Sequence, residues 1–290
     1  MKKNNVIKIC LAQINPETGN LKKNIETHLK IISAAKNKKA SIIVFPELSL
    51  TGYFLKDGVY DMGINIYTDE SAVFRDIYKI TEDMGVSVIA GFVEKDVDFN
   101  FYNSSFCISK GRLIDVHRKV YLPTYGMFEE LRYFKPGKGF GIFDLEGVKF
   151  SVLTCEDAWH LSSSYIAVNK GAHIIIVNSA SPARGITAGL NKFNSINMWE
   201  ELLSVIAFYY RSYVIYVNRV GFEDGIGFSG GSSVFNPSGE IENKLDYLDE
   251  GMTVAEINLD LLNNERFKTP LIRDENLNLT LKEIEGILKS

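Results

Sequence analysis

The sequence predicts an α/β protein in which mixed β-sheets are covered by helices. Three observations carry that expectation. Short runs rich in Ile and Val recur along the chain, as in Ser41-Ile42-Ile43-Val44-Phe45 and His173-Ile174-Ile175-Ile176-Val177. They are too short for helices and too continuously apolar for half-exposed strands, so they read as strands buried on both faces. Segments with apolar residues at helical spacing lie between them, the alternation that builds layered α/β folds. Closely spaced strand pairs between residues 86 and 118, turning at Lys110-Gly111, imply antiparallel neighbours and hence a mixed sheet. Two such sheets packed together suit a chain of 290 residues.

Taken in order, Val6 to Ile14 is β-rich, Leu21 to Ala35 has helical spacing, and Ser41 to Phe45 returns to a strand. A polar helix is expected near Ser71 to Met84, a strand over Val86 to Val93, and a hairpin from Ser104 to Ser109 and Leu113 to Val116. Tyr121 to Lys138, rich in Gly, Pro and aromatic residues, reads as a loop. Lys149 to Thr154 and His173 to Val177 read as strands around a helix near Ser163 to Asn169. The longest expected helix, Asn191 to Arg211, precedes a strand from Tyr213 to Val217 and a glycine-rich passage from Gly221 to Gly231. A strand near Ser232 to Phe235, the turn Asn236-Pro237-Ser238-Gly239 and a strand near Met252 to Ile257 follow. Beyond Leu259 the chain becomes more polar, so residues 259–290 read as a C-terminal tail. No linker, low-complexity tract or repeat interrupts the series, so residues 1–290 read as a single domain.

Composition narrows the function. Apolar residues at 46% and charged residues at 23% describe a chain able to bury a core, not a disordered one. A net charge of -4 gives no general attraction to nucleic acid or anionic membrane. The basic start is followed by an apolar run broken by Lys8, Gln13 and Asn15, which lacks a signal-peptide core, and no stretch reaches the roughly 20 apolar residues that span a bilayer. A cytoplasmic location is the expectation. Cys10, Cys107 and Cys155 are too scattered for a disulfide framework, and His28, His117, His160 and His173 show no grouping of zinc ligands. Neither a metal nor a cofactor is expected.

Three side chains stand at the ends of apolar strands, where α/β folds expose groups to a cleft. Glu47, in Phe45-Pro46-Glu47-Leu48-Ser49, follows a strand directly, and partial burial there would raise its pKa toward a proton-shuttle range. Taken alone, such a Glu is more often a surface residue. Lys119, in His117-Arg118-Lys119-Val120, offers a cation for an oxyanion and for lowering a nearby thiol pKa, although basic clusters are usually solvated strand ends. Cys155, in Thr154-Cys155-Glu156-Asp157, follows a strand where the next backbone amides can face an oxyanion. Cys10 and Cys107 lie inside strand patterns and read as apolar filler. A Cys155–His160 protease-like pair has no supporting pattern.

Phe-Pro-Glu ending at Glu47, Arg-Lys-Val around Lys119 and Thr-Cys-Glu-Asp around Cys155, in that order, resemble the three signature blocks of the nitrilase, or carbon-nitrogen hydrolase, superfamily. The resemblance includes Asn178-Ser179-Ala180-Ser181-Pro182 and Gly230-Gly231-Ser232-Ser233 and extends to about Ile257. Tyr121-Leu122-Pro123-Thr124-Tyr125 and Phe128-Glu129-Glu130-Leu131-Arg132-Tyr133-Phe134 look most like the glutamine-hydrolysing domain of glutamine-dependent NAD synthetase, here as a stand-alone domain without the ATP-using one. The segments Ala158-Trp159-His160 and Ala183-Arg184-Gly185 depart from that pattern.

The resemblance implies a four-layer α-β-β-α sandwich whose protomers pair or form a larger homo-oligomer. It implies a cysteine hydrolase of non-peptide carbon-nitrogen bonds in small amides. It also implies a second glutamate, Glu130, that helps hold the lysine and orient the substrate; Glu129 is the alternative register. Tyr125 and Trp159 are pocket candidates as readily as core residues, and Arg184 is a candidate for a substrate carboxylate. Nitrilase, N-carbamoyl hydrolase, glutaminase supplying ammonia to a synthetase, and a non-catalytic partner subunit are the alternatives, because the same three residues serve several substrates and only the pocket chooses.

Overall fold

The computed structural model describes residues 5–68, 72–185 and 193–290. Its first half runs β1 (Val6–Gln13), α1 (Leu21–Asn37), β2 (Ile42–Val44), α2 (Val59–Met62), α3 (Ala72–Met84), β3 (Ser87–Lys95), β4 (Phe101–Ser109) and β5 (Arg112–Arg118). Then come α4 (Glu130–Tyr133), β6 (Phe143–Leu145), β7 (Val148–Thr154), a 3-10 turn (Cys155–Trp159), α5 (Leu161–Asn169), β8 (Ile174–Ser179), α6 (Asn194–Tyr210) and β9 (Tyr213–Asn218). The chain continues through β10 (Val220–Glu223), β11 (Ile226–Ser229), β12 (Ser233–Phe235), β13 (Ile241–Lys244), β14 (Gly251–Asn258), α7 (Leu259–Lys268) and α8 (Leu277–Lys289).

Apart from β10 and β11, these strands form two six-stranded mixed sheets, ordered β14-β1-β2-β3-β4-β5 and β13-β12-β9-β8-β7-β6. Each has three parallel strands at its centre, β1-β2-β3 and β7-β8-β9, with antiparallel strands outside them. The two sheets share one core. Ile9, Leu11, Ile42 and Val44 from the first meet Val152, Ile174, Ile176, Ile215 and Val217 from the second. The alternate residues Cys10, Ile43, Val88 and Ala90 face away, onto Ile25 and Ile32 of α1 and Phe74 and Ile77 of α3. In the same way Ile175, Val177 and Val214 pack on Val168 of α5 and on Trp199, Leu203 and Ile206 of α6. Both faces of the central strands are therefore covered, which is why their sequences are apolar without alternation. The result is the α-β-β-α sandwich that the resemblance implied.

Differences from the sequence reading fall where hydrophobic periodicity is weak. The glycine-rich passage is a hairpin, β10 paired with β11, and the short strands β6 and β13 sit at the outer edges of the second sheet. The segment read as a loop contains the single turn of α4. The expected polar tail is helical over most of its length: Asn258 caps α7 by accepting hydrogen bonds from the Asp260 and Leu261 amides, and Asn276 caps α8. Residue 71 of one expected helix, and residues 191 and 192 of another, lie outside the described residues.

Candidate active site

At the end of β2 the chain turns so that Glu47 enters the interior. Gly91 of β3 makes room, because a Cβ there would lie 2.1 Å from the Leu48 amide nitrogen. Helix α1 supports the same segment. His28 is stacked on Phe45 at 4.0 Å and meets the Ser49 hydroxyl at 3.0 Å, and burial lowers its pKa to about 4. The Asn24 side-chain amide donates to the Leu50 carbonyl at 2.9 Å. Glu47 itself is buried; its Oε1 accepts from Asn103 Nδ2 at 2.8 Å and Lys119 Nζ at 2.7 Å, and its Oε2 from the Ala180 amide at 2.7 Å.

Lys119 follows β5, and its main chain extends the pairing: its N–H donates to Asn103 and its carbonyl accepts from Gly137. Its side chain is fully buried, with Nζ 2.7 Å from both Glu47 Oε1 and Glu130 Oε1. Glu130, the first residue of α4, also accepts the Tyr53 hydroxyl hydrogen bond on Oε1. Burial alone would depress the Lys119 ammonium, but the charges of Glu130 and Glu47 hold its pKa well above the ordinary value. Burial pushes the Glu130 carboxyl up to about 7 against the opposing pull of Lys119.

Cys155 follows β7 and opens the 3-10 turn with a φ of 47°, a left-handed conformation that costs a non-glycine residue energy and persists only when its surroundings enforce it. Asp157 supplies that enforcement. Its buried carboxylate accepts from the Thr154 amide at 3.0 Å, from the Val120 and Tyr121 amides at 3.0 and 2.9 Å, and pairs with His117 Nε2 at 2.8 Å. One side chain thus ties the cysteine turn to the backbone that carries Lys119. The Ser179 hydroxyl donates to Cys155 Sγ at 3.2 Å. The thiol is held well above its ordinary pKa, first by burial and then by the Glu47 charge, both outweighing Lys119. The sequence reading expected the cation to lower it; the neighbouring carboxylate and the dry surroundings reverse the sign.

Of the expected pocket residues, Tyr125 and Arg184 converge on Phe128. The Tyr125 ring lies 5.8 Å from that of Phe128 and the Arg184 guanidinium 5.4 Å from it. Tyr125 is 57% exposed, and its hydroxyl donates to Glu156 Oε2 at 2.8 Å. Trp159 turns instead to the outer core, edge-on to Trp199 at 5.1 Å. Sequence reasoning gave no site role to Asn103, Ser179, Asp157 or Glu156. Asp157 and Glu156 stood beside the cysteine, whereas Asn103 and Ser179 are polar strand residues that only sheet register brings to the site. Among the described residues, no group of three or more His, Cys, Asp or Glu side chains is placed to hold a metal, and no helix is long and apolar enough to cross a membrane.

The family model for carbon-nitrogen hydrolases matches residues 8–266. This chain belongs to the carbon-nitrogen hydrolase family. This carbon-nitrogen hydrolase is 31% identical over 256 residues to the glutamine-dependent NAD(+) synthetase of Thermotoga maritima, an alignment covering 88% of this chain and 42% of the relative. It therefore spans less than half the length of that synthetase. It is 30% identical over 264 residues to the nitrilase of Pyrococcus abyssi, covering 90% of this chain and 93% of that one. Among solved structures, the carbon-nitrogen hydrolase from Helicobacter pylori G27 is similar with a TM-score of 0.84 and 28% identity, covering 95% of this chain and 97% of that one.

Proposed function

We propose that this carbon-nitrogen hydrolase is an amidohydrolase that opens a non-peptide amide of a small molecule through a Cys155 thioester, without a cofactor. The observation that supports it most is the fully buried Lys119 ammonium, held 2.7 Å from two carboxylates beside a strained cysteine turn. Such a cation is preorganised for charge that develops on a substrate oxygen. Because the resting thiol is held protonated, attack requires a base, and Glu47 is the carboxylate whose charge acts most strongly on it.

In this reading Glu47 takes the Cys155 proton as sulfur bonds to the amide carbon, and Lys119 with a backbone amide after Cys155 holds the oxyanion. The carbon-nitrogen bond then breaks, and Glu47 returns the proton to the departing nitrogen. Water, deprotonated by Glu47, next attacks the thioester; the carbon-sulfur bond breaks and the thiol regains its proton. Glu130 positions Lys119 and the substrate.

Glutamine is the first amide to try, since several relatives are named glutamine-dependent. Glu156, fixed by Tyr125, suits a substrate ammonium, and Arg184 a substrate carboxylate. A nitrile is the second reading, on the likeness to a relative named nitrilase. A screen for ammonia release from glutamine, other ω-amides, N-carbamoyl compounds and nitriles, comparing wild type with Cys155→Ala, tests both. Release that depends on Cys155 is expected from one class; equal release by the variant would sink the mechanism.

We also propose that two protomers pair through the outer faces of α5 and α6, where Leu161, Met198, Val205 and Tyr209 remain exposed. Neighbouring apolar side chains of this size on one helical layer are more typical of an interface than of a free surface.

A further inference from the structure

The hairpin of β10 and β11 carries a buried ion pair that takes no part in the proposed proton transfers. Arg219, fully buried where β9 passes into β10, pairs with the Glu223 carboxylate, and its Nη2 donates to Asn15 Oδ1 at 3.1 Å and to the Pro16 carbonyl at 3.3 Å. Burying two charges is costly and is offset only where their remaining hydrogen bonds are satisfied. Here Glu223 Oε2 also accepts from the Tyr53 and Phe54 amides, at 3.1 and 2.9 Å. A carboxylate only accepts, so it can face all these donors at once, whereas a side-chain amide of the same shape would turn an N–H onto one of them. The Arg219 guanidinium lies 4.2 Å from the centre of the Phe228 ring, which meets the Tyr53 ring edge-on at 6.2 Å. Gly52, with a φ of 84°, closes the opposite side: a Cβ there would come within 2.6 Å of Thr18 Cα and 3.1 Å of Glu223 Oε1. Tyr53 is thus held at its backbone by Glu223 and against Phe228 at its ring, and its hydroxyl donates to Glu130 Oε1, the oxygen that also accepts from Lys119 Nζ.

We propose that Glu223, anchored by Arg219, is a positioning residue of the site: it fixes Tyr53 so that the phenol donates to Glu130 and keeps that carboxylate on Lys119. The consequence for turnover rests on the amidohydrolase reading; the placement of Tyr53 does not.

The titration of Glu130, followed by carboxyl-carbon NMR of the whole chain labelled with isotopic glutamate and assigned by the resonance lost in Glu130→Gln, reads that placement without a substrate. Glu130 faces Lys119, Glu47 and Tyr53, and the Tyr53 hydrogen bond acts to lower its pKa. Tyr53→Phe is therefore expected to move the midpoint up from about 7, Glu223→Gln to move it up likewise, and the double variant to move it no further than Tyr53→Phe alone. Gly52→Ala leaves both charges paired and displaces the same segment from the Thr18 side, so it is expected to give the same result, including where Glu223→Gln does not fold. A wild-type midpoint in Tyr53→Phe, or in the folded Glu223→Gln and Gly52→Ala variants, overturns the proposal, as does a second full rise in the double variant. In turnover, Tyr53→Phe and Glu223→Gln are each expected to lower kcat about tenfold, and together no more than either alone. Losses that multiply overturn the share of Glu223 in turnover, since a merely structural loss is felt equally with and without the phenol. The expected midpoints without Cys155-dependent hydrolysis of any amide support the placement of Tyr53 and overturn the amidohydrolase reading alone.

Discussion

Lys119 concentrates the electrostatics of the site. It is the buried counter-ion of two carboxylates, so its removal strands both. Lys119→Ala is expected to lower kcat by about two to three orders of magnitude through the lost oxyanion donor. It is also expected to cost about 3–5 kcal/mol of stability, because buried charges lose their partner. Steady-state kinetics at a temperature where circular dichroism shows the variant folded separate the two effects; a wild-type rate would remove Lys119 from the mechanism. Glu130 sets a pH dependence. With its pKa pushed up to about 7, the carboxylate that holds Lys119 is present above that pH and is lost by protonation below it. Wild-type kcat/KM is therefore expected to fall as pH drops through about 7, and Glu130→Gln to lack that limb. A profile with the same acid limb in the variant would assign it to another group.

At the scale of elements, the site depends on strand ends brought close by small residues. Gly91 lets the Glu47 segment cross β3, and Gly137 lets the chain pass the Arg118 carbonyl, which a Cβ would approach to 2.0 Å. Gly91→Ala is expected to displace Glu47 and lower kcat by about 100-fold, in line with small misplacements of catalytic groups. The measurement is kcat beside the rate of Cys155 alkylation; unimpaired turnover would show that the segment accommodates the methyl group. The residues Glu47, Lys119 and Cys155 were conspicuous in the sequence because each follows an apolar strand and stands in a motif. Asp157, which joins the cysteine turn to the lysine segment, was visible only as a neighbour of Cys155; its hydrogen bonds to Val120 and Tyr121 cross 37 and 36 residues of chain. Trp159 shows the converse. Its place beside the nucleophile suggested a pocket, yet it ends the 3-10 turn edge-on to Trp199.

For the whole molecule, covering both faces of both sheets leaves α5 and α6 as the outermost layer on one side, with apolar residues still in solvent. Val205→Glu is expected to convert a dimer to monomers, read by sedimentation velocity, because a charge at the centre of an apolar interface is desolvated without a partner. An unaltered sedimentation coefficient would place the pairing face elsewhere. The sequence by itself determined the layered α/β class and the strand-end positions of Glu47, Lys119 and Cys155, since burial on both faces leaves local, periodic signals. Only the tertiary structure decided that Lys119 sits between two carboxylates, that the Cys155 thiol is raised rather than lowered, and that one buried oxygen of Glu130 is left without a hydrogen-bond partner. Those properties arise from distances between groups tens of residues apart and from the exclusion of water around them, and neither is written in any local stretch of chain.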